Sequence, residues 1–161
     1  MRRLLALLLP ALFVLTAQAT TYAAEKPSAR GGHVYQDFTP QAGDPAALRR
    51  AWRHWQRLEA DDYVLRVQNS CFCVERPPID TKVVDGEVTS VTYQGGTREL
   101  RRKGYDLDRM YLILRDAYDH AYRLDVRYSD RGVPYRISID WELMVADEEA
   151  YYTVKLRGVG N

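Results

Sequence analysis

The chain contains two cysteines, Cys71 and Cys73, separated by one residue in the stretch YVLRVQNSCFCVERPP. A pair at this spacing is compatible with a structural disulfide, with two buried thiols that pack as small apolar residues, or with a functional dithiol that exchanges disulfides or binds a metal such as copper(I). The adjacent Asn69, Ser70 and Phe72 carry no positive charge that would stabilise a thiolate. The sequence leaves all three interpretations open.

The spacing also predicts how a bond between these cysteines would behave. Residues i and i+2 of an ideal strand have Cα atoms about 6.5–7 Å apart, whereas relaxed disulfides favour about 5.5–6 Å. A bond between Cys71 and Cys73 would therefore need a bulge at Phe72 and would be reduced more easily than a relaxed bridge. It would close too small a loop to add much loop-closure entropy.

A second group with chemical potential is the cationic loop Arg98, Arg101, Arg102 and Lys103. These side chains can bind an anionic partner, for example a component of a cell envelope. Glu99 within the loop favours the alternative of a simple solvated segment.

Recognisable catalytic and metal-binding patterns are absent from the sequence. There is no G-x-S-x-G elbow, no H-E-x-x-H motif and no phosphate-binding glycine loop. His33, His54 and His120 are not paired at a ligand spacing. We therefore predict no catalytic residue, no metal ligand and no cofactor.

The N-terminus predicts export. Arg2 and Arg3 precede an apolar run of about twelve residues, and a small-x-small site ends at Ala19. We predict a signal peptide over residues 1–19, with cleavage after Ala24 as the alternative.

The apolar run is shorter than the about 20 residues of a transmembrane helix, so no membrane span is expected after cleavage. No cysteine stands at the junction, so the mature protein is not expected to be a lipoprotein. A periplasmic or secreted location would favour a disulfide.

The remaining chain is nearly neutral and has the length of one domain. Loss of Arg2 and Arg3 leaves 21 Lys and Arg against 22 Asp and Glu. This balance argues against a nucleic-acid binder. Residues 20–43 have no sustained period and predict a flexible lead-in, whereas residues 44–161 predict a single α+β domain.

Two amphipathic helices are predicted. Asp44-Pro45 is a helix start signal, and apolar residues at helical spacing continue until a predicted end near Ala60. Asp106 is the predicted cap of the second helix. Its apolar stripe comprises Leu107, Met110, Tyr111, Leu114, Ala117, Tyr118 and Ala121.

The other segments alternate as half-buried strands do. From Tyr63 onward the alternation places Leu65, Val67 and both sulfurs on the apolar face. Asp85-Gly86 predicts a type I′ hairpin turn. Three more alternating strands follow the second helix, and their wet face is expected to pair opposite charges across the ladder. The prediction is a two-layer α+β domain of order α-β-β-β-α-β-β-β, with an antiparallel sheet of five to six strands and two helices packed on one face.

Several stretches together resemble a known family. They are the DYVLRVQNSCFCV strand, KVVDGEV, YSDRGVPYRISID and DEEAYYTVKL. This pattern, from Leu48 to Leu156, resembles the secreted bacterial family called domain of unknown function 6174. Val133 departs from it, because the family usually has an aromatic residue before that proline. The resemblance implies an exported α+β domain without an established activity or agreed catalytic residues.

From these observations we expect an exported, non-catalytic domain that binds a protein or cell-envelope partner. Two alternatives remain. The first is a periplasmic thiol-redox or metal-binding protein that uses the Cys71-x-Cys73 pair, and the second is an enzyme with an unrecognised site.

Overall fold

The computed structural model describes residues 35–71, 76–143 and 149–160. The predicted signal peptide and Cys73 lie outside these ranges. The helices and strands are α1 (Ala46–Gln56), β1 (Asp62–Ser70), β2 (Ile79–Val84), β3 (Glu87–Tyr93), α2 (Leu107–His120), β4 (Arg123–Tyr128), β5 (Pro134–Asp140) and β6 (Glu149–Gly160). The strands form one six-stranded antiparallel sheet of order β3-β2-β1-β6-β5-β4. The predicted α+β class and element order are confirmed.

Each half of the chain contributes a helix followed by a three-strand meander. The first and last strands, β1 and β6, join the two meanders at the centre of the sheet. The turn between β2 and β3 is the predicted one, since Asp85 (φ 52°) and Gly86 (φ 73°) are both left-handed.

The core forms on the face of β1 that carries Tyr63, Leu65 and Val67, all buried. The ring of Tyr63 lies 5.2 Å from that of Trp55 on α1. Its hydroxyl accepts a hydrogen bond of 3.2 Å from the Leu107 amide, the first residue of α2. Both helices therefore contact this side of β1.

Helix α2 begins as its sequence predicts. The carboxylate of Asp106 accepts a hydrogen bond of 2.7 Å from the Arg109 amide, which satisfies one of the free donors of the first turn. The buried stripe consists of Leu107, Met110, Tyr111, Leu114 and Ala117. These residues lie on one face because their spacing follows the helical period.

Helix α1 differs from its prediction at both ends. Pro45 occupies the N-cap position, and no side chain caps the helix. The carboxylate of Asp44 instead accepts from the Gln41 amide at 2.6 Å and from the Arg115 guanidinium at 2.7 and 2.8 Å. A charged bidentate partner therefore binds the group predicted to cap α1. The helix ends at Gln56, before Glu59 takes up a left-handed conformation (φ 48°).

The prediction of a flexible lead-in up to residue 43 is wrong for its last part. Phe38 is 3% exposed, and its ring lies 5.0 Å from that of Trp52 and 5.1 Å from that of Tyr111. Its amide donates to the carboxylate of Asp108 at 2.6 Å. One buried side chain on an extended segment produces no periodic pattern, so the sequence did not reveal it.

A glycine allows the β4–β5 turn to lie against α1. Gly132 is left-handed (φ 86°), and a Cβ there would overlap the carbonyl oxygen of Ala51. Its own carbonyl accepts from the Tyr111 hydroxyl at 2.6 Å. The two halves of the domain therefore meet at a backbone approach that only glycine permits.

The sheet is less completely covered at β4 than the alternation predicted. Tyr122, just before β4, is 59% exposed, and the apolar residues of β4 are half-buried. Leu143 lies beyond the end of β5 at Asp140 and is exposed. An edge strand has a neighbour on one side only, so its side chains bury less surface.

Candidate functional site

Cys71 lies just beyond the sheet and not in the core. Strand β1 ends at Ser70, and Cys71 follows as an exposed residue. Along the same alternation Val67 is buried and Asn69 is half-buried. By this alternation Cys71 follows Val67 and Asn69 on the core side of the sheet, as predicted. The residues that cover this side do not extend as far as residue 71, so the prediction of a buried sulfur is wrong for Cys71. Cys73 lies outside the described residues, and a bond between the two stays a prediction.

Cys71 lines an open cleft of about 210 Å³ at this end of the sheet. The cleft is lined by Val67, Asn69, Cys71, Arg76, Pro77, Ile79 and Arg102. Two features that the sequence nominated separately, the cysteine and the cationic loop, therefore meet in one place. Arg76 was not nominated, because no motif marks it. The residues next to Cys71 in the chain carry no positive charge, whereas the fold brings two arginines to its cleft.

The four cations of the loop do not act as one patch. Arg102 is half-buried in the cleft, while Arg98 and Arg101 are exposed. Lys103 turns to Tyr35, with its ammonium 4.9 Å from the ring centroid, and burial lowers the pKa of Lys103. Only Arg102 of the four therefore lines the cleft.

The described lining of the cleft contains basic residues and no acidic residue. Within residues 35–71, 76–143 and 149–160, neither Arg76 nor Arg102 makes an ion pair or a side-chain hydrogen bond. The side-chain oxygen of Asn69 is buried and has no hydrogen-bond partner among the residues that the structure describes. Val67 and Ile79 contribute apolar surface. The described part of the cleft thus offers two cations and an acceptor beside an apolar wall, and it includes no carboxylate.

A family model matches residues 47–157 and is described as a family of unknown function, DUF6174. The chain belongs to the DUF6174 family. The match includes Asn69, Cys71, Arg76 and Arg102 of the cleft, and it begins after Phe38. No curated protein and no solved structure matches the chain.

The loop that carries Arg102 is fixed against the sheet of the DUF6174 domain. The Gly104 amide donates to the Tyr35 hydroxyl at 3.0 Å, and the Tyr105 amide donates to the Thr81 hydroxyl at 2.8 Å. A Cβ on Gly104 would lie 2.6 Å from that hydroxyl oxygen and 2.7 Å from a methyl of Val91. The backbone therefore approaches β2 and β3 closely, and this approach limits how far Arg102 can move.

The loop is also held from its other end. The carboxylate of Glu99 accepts from the Ser90 hydroxyl at 2.6 Å and from the Val91 amide at 3.0 Å. Glu99 therefore attaches the loop to edge strand β3. The sequence did not predict this structural role, since Glu99 was interpreted only as a sign that the loop is a solvated segment.

A second cavity of about 290 Å³ lies between α1 and the β4–β5 turn. Here His54 Nδ1 lies 3.0 Å from the Asp130 carbonyl oxygen. The hydroxyl of Tyr128 is buried, and its pKa is raised, mainly by burial and further by the neighbouring Tyr118 hydroxyl. The cavity contains none of the residues nominated from the sequence.

The part of the chain that the structure describes holds no group of three or more His, Cys, Asp or Glu arranged to bind a metal ion. In the same residues no helix combines the length and apolar character needed to cross a membrane.

Proposed function

We propose that the protein is an exported, non-catalytic binding domain whose cleft captures the C-terminal residue of a polypeptide partner. The observation that supports this proposal is the composition of the cleft as far as the structure describes it. There it has two guanidinium groups without an ion pair, a buried amide oxygen without a hydrogen-bond partner, and an apolar wall.

The two arginines favour an anionic group. Arg76 and Arg102 line the same cleft, and none of its other described lining residues is acidic. A guanidinium group presents a planar set of donors that matches a carboxylate in bidentate geometry. A terminal carboxylate is therefore the preferred group at this end of the cleft.

Asn69 adds a requirement for a hydrogen-bond donor. A buried acceptor without a partner costs about 1–3 kcal/mol, so a ligand that supplies an N–H recovers this energy. The last residue of a polypeptide carries an amide N–H next to its carboxylate. Its side chain would lie against Val67 and Ile79. A volume of about 210 Å³ equals that of about seven waters at about 30 Å³ each, which suits one terminal residue.

Calorimetric titration with N-acetyl-leucine and with N-acetyl-leucinamide tests this proposal. The acid is expected to bind at least about tenfold more tightly than the amide, because the amide has no charge for the arginines to bind. Arg102→Ala is expected to weaken binding of the acid by about tenfold. Arg101→Ala is the matched control, since Arg101 lies in the same loop and is exposed. Equal binding of acid and amide, or equal loss in both variants, would contradict the proposal.

Export is supported by the signal-peptide pattern of residues 1–19. N-terminal sequencing of protein recovered from the periplasm or medium is expected to begin at Thr20, or at Glu25 if the alternative site is used. Recovery of intact protein in the cytoplasm alone would contradict export. Turnover of a small molecule at the cleft would contradict the non-catalytic role.

A second candidate function is thiol–disulfide exchange at Cys71 and Cys73. It is favoured by the exposure of Cys71 beside Arg76 and Arg102, because nearby positive charge stabilises a thiolate. In this step a thiolate of an external dithiol attacks a disulfide between the two cysteines, and one cysteine leaves as a thiolate. The second thiol of the reagent then breaks the mixed disulfide, so the protein is reduced and the reagent is oxidised.

Mass measurement after alkylation at graded dithiol concentrations separates the two functions. A pair that is reduced easily, and less easily in Arg102→Ala, supports exchange. A pair that resists mild reductant supports a structural bridge. Copper or zinc in the native mass would instead indicate a metal-binding dithiol.

A further inference from the structure

The face of the sheet opposite Tyr63 carries a group of cations that the cleft does not use. They share three properties: they are exposed, they alternate with core residues on their strands, and they lie in adjacent rows of the ladder. We call them the cationic band, which consists of Lys82 on β2, Lys155 and Arg157 on β6, Arg136 on β5 and Arg127 on β4. We infer that the cationic band binds a linear polyanion built on a sugar or polyol backbone.

The strand register places like charges together in this band. Arg127 is directly opposite Arg136 on the neighbouring strand. Lys155 is directly opposite Arg66. The sequence had predicted that opposite charges would lie across these strands. The register bears this out for Arg123 and Asp140, whereas the prediction is wrong for Arg127 and Arg136. Arg66 itself is neutralised by Asp80 through two contacts of 2.6 Å.

The described residues do not compensate the repulsion in the band by ion pairing. None of its five members makes an ion pair or a side-chain hydrogen bond with another residue that the structure describes. Like charges directly opposite one another destabilise a sheet. Six acidic residues of the described strands lie on this face. Asp125, Asp140 and Glu149 lie toward the other end of the strands. Asp80 is paired with Arg66, and Asp62 and Glu87 lie at the Lys82 end but form no ion pair with a described member of the band. The arrangement therefore does not help the fold, whereas a bound polyanion would relieve it.

The shape of the band favours an extended ligand. From β2 to β4 the sheet crosses four strand spacings, or about 19 Å at about 4.8 Å each. The side chains between the cations include Val64, Gln68 and Thr153, and no aromatic ring lies in these described rows. Base stacking needs aromatic surface, and membrane insertion needs large apolar side chains. A sugar or polyol chain with carboxylates or phosphates needs neither.

Fluorescence anisotropy with labelled ten-unit probes tests this inference. The probes are an oligouronate, which carries carboxylates, and an oligo(glycerol phosphate), which carries phosphates, with neutral dextran as the blank. Binding of either charged probe supports the proposal and identifies the anion. With five contacts the affinity should fall about 100-fold between 50 and 200 mM salt, as expected from a slope of about −0.7 per contact.

Charge-reversal variants distinguish binding by the cationic band from a general effect of the protein's net charge. Arg136→Glu is expected to weaken binding by about tenfold and to leave the melting temperature unchanged or raised, because it removes the repulsion with Arg127. Arg53→Glu is the matched control, since Arg53 is exposed on α1 and its reversal changes the net charge equally. Arg102→Ala, in the cleft, should leave affinity for these probes unchanged, so a failure of the terminal-carboxylate proposal would remain distinguishable.

The inference is overturned by any of three results. The charged probes fail to bind at 50 mM salt; Arg53→Glu weakens binding as much as Arg136→Glu; or single-stranded DNA or phosphatidylglycerol vesicles bind more tightly than both probes. The last result would assign the band to a nucleic acid or a membrane surface.

Discussion

Replacing Asp106 with asparagine should stabilise the protein at neutral and alkaline pH. Asp106 caps α2 through the Arg109 amide, and an asparagine side chain can accept the same hydrogen bond. Burial raises the pKa of Asp106 from its ordinary value of 3.8 to about 6, despite the opposing effect of that hydrogen bond. Removing the charge thus removes the cost of burying a carboxylate and keeps the cap.

The expected size follows from linkage. Because the pKa of Asp106 is higher in the folded state, the folded protein binds this proton more tightly than the unfolded chain. The associated stability is complete below pH 3.8 and is lost as pH rises through about 6. A difference of about 2 pKa units corresponds to about 3 kcal/mol in the free energy of unfolding. About 1 kcal/mol of this should be lost between pH 5 and pH 8.

Urea unfolding of the wild type and Asp106→Asn at pH 5 and pH 8 measures this effect. The variant should be more stable at pH 8 by up to about 3 kcal/mol, and its advantage should shrink by about 1 kcal/mol at pH 5. Asp125→Asn, at an exposed position on β4, controls for loss of a charge. The reasoning fails if Asp106→Asn is less stable at pH 8, or if its advantage is the same at both pH values.

Three core predictions follow, each measured by the shift in the midpoint of chemical denaturation. Leu114→Ala should cost about 2–5 kcal/mol because Leu114 is fully buried on α2, and an unchanged midpoint would mean that α2 does not cover the sheet. Phe38→Ala should cost about 3–5 kcal/mol, whereas a loose lead-in would give no change. Gly132→Ala should destabilise the fold by more than about 1 kcal/mol, because the new Cβ overlaps the Ala51 carbonyl and the backbone is left-handed. Gly43→Ala is the control and should have a small effect, since nothing lies within 4 Å of a Cβ at Gly43.

The predictable part of this fold depended on local signals. Alternation in β1 identified Tyr63, Leu65 and Val67 as core residues, because neighbouring side chains of a strand point to opposite faces. Asp85-Gly86 and Asp106 act within a few residues of their own position, so their chemistry was sufficient to predict a turn and a cap.

The features that the sequence did not reveal connect distant positions. Asp44 pairs with Arg115, 71 residues away, so its short-range capping preference was overridden. Cys71 and Arg102 share a cleft only because the loop before α2 is attached to β2 and β3. No spacing rule predicts such a meeting, since it depends on how two separate segments pack.

The central position of β1 and β6 also determines when folding can finish. Asp62 pairs with Gly160, so the central ladder joins residues about 100 positions apart, and such long-range pairing is slow to form. While the chain is being synthesised, β1 has β2 as its neighbour but lacks the partner for its other edge until the last strand appears. The sheet therefore stays in two parts until β6 is available, a delay that would suit the export that we propose, because a chain crosses a membrane more readily before it becomes compact.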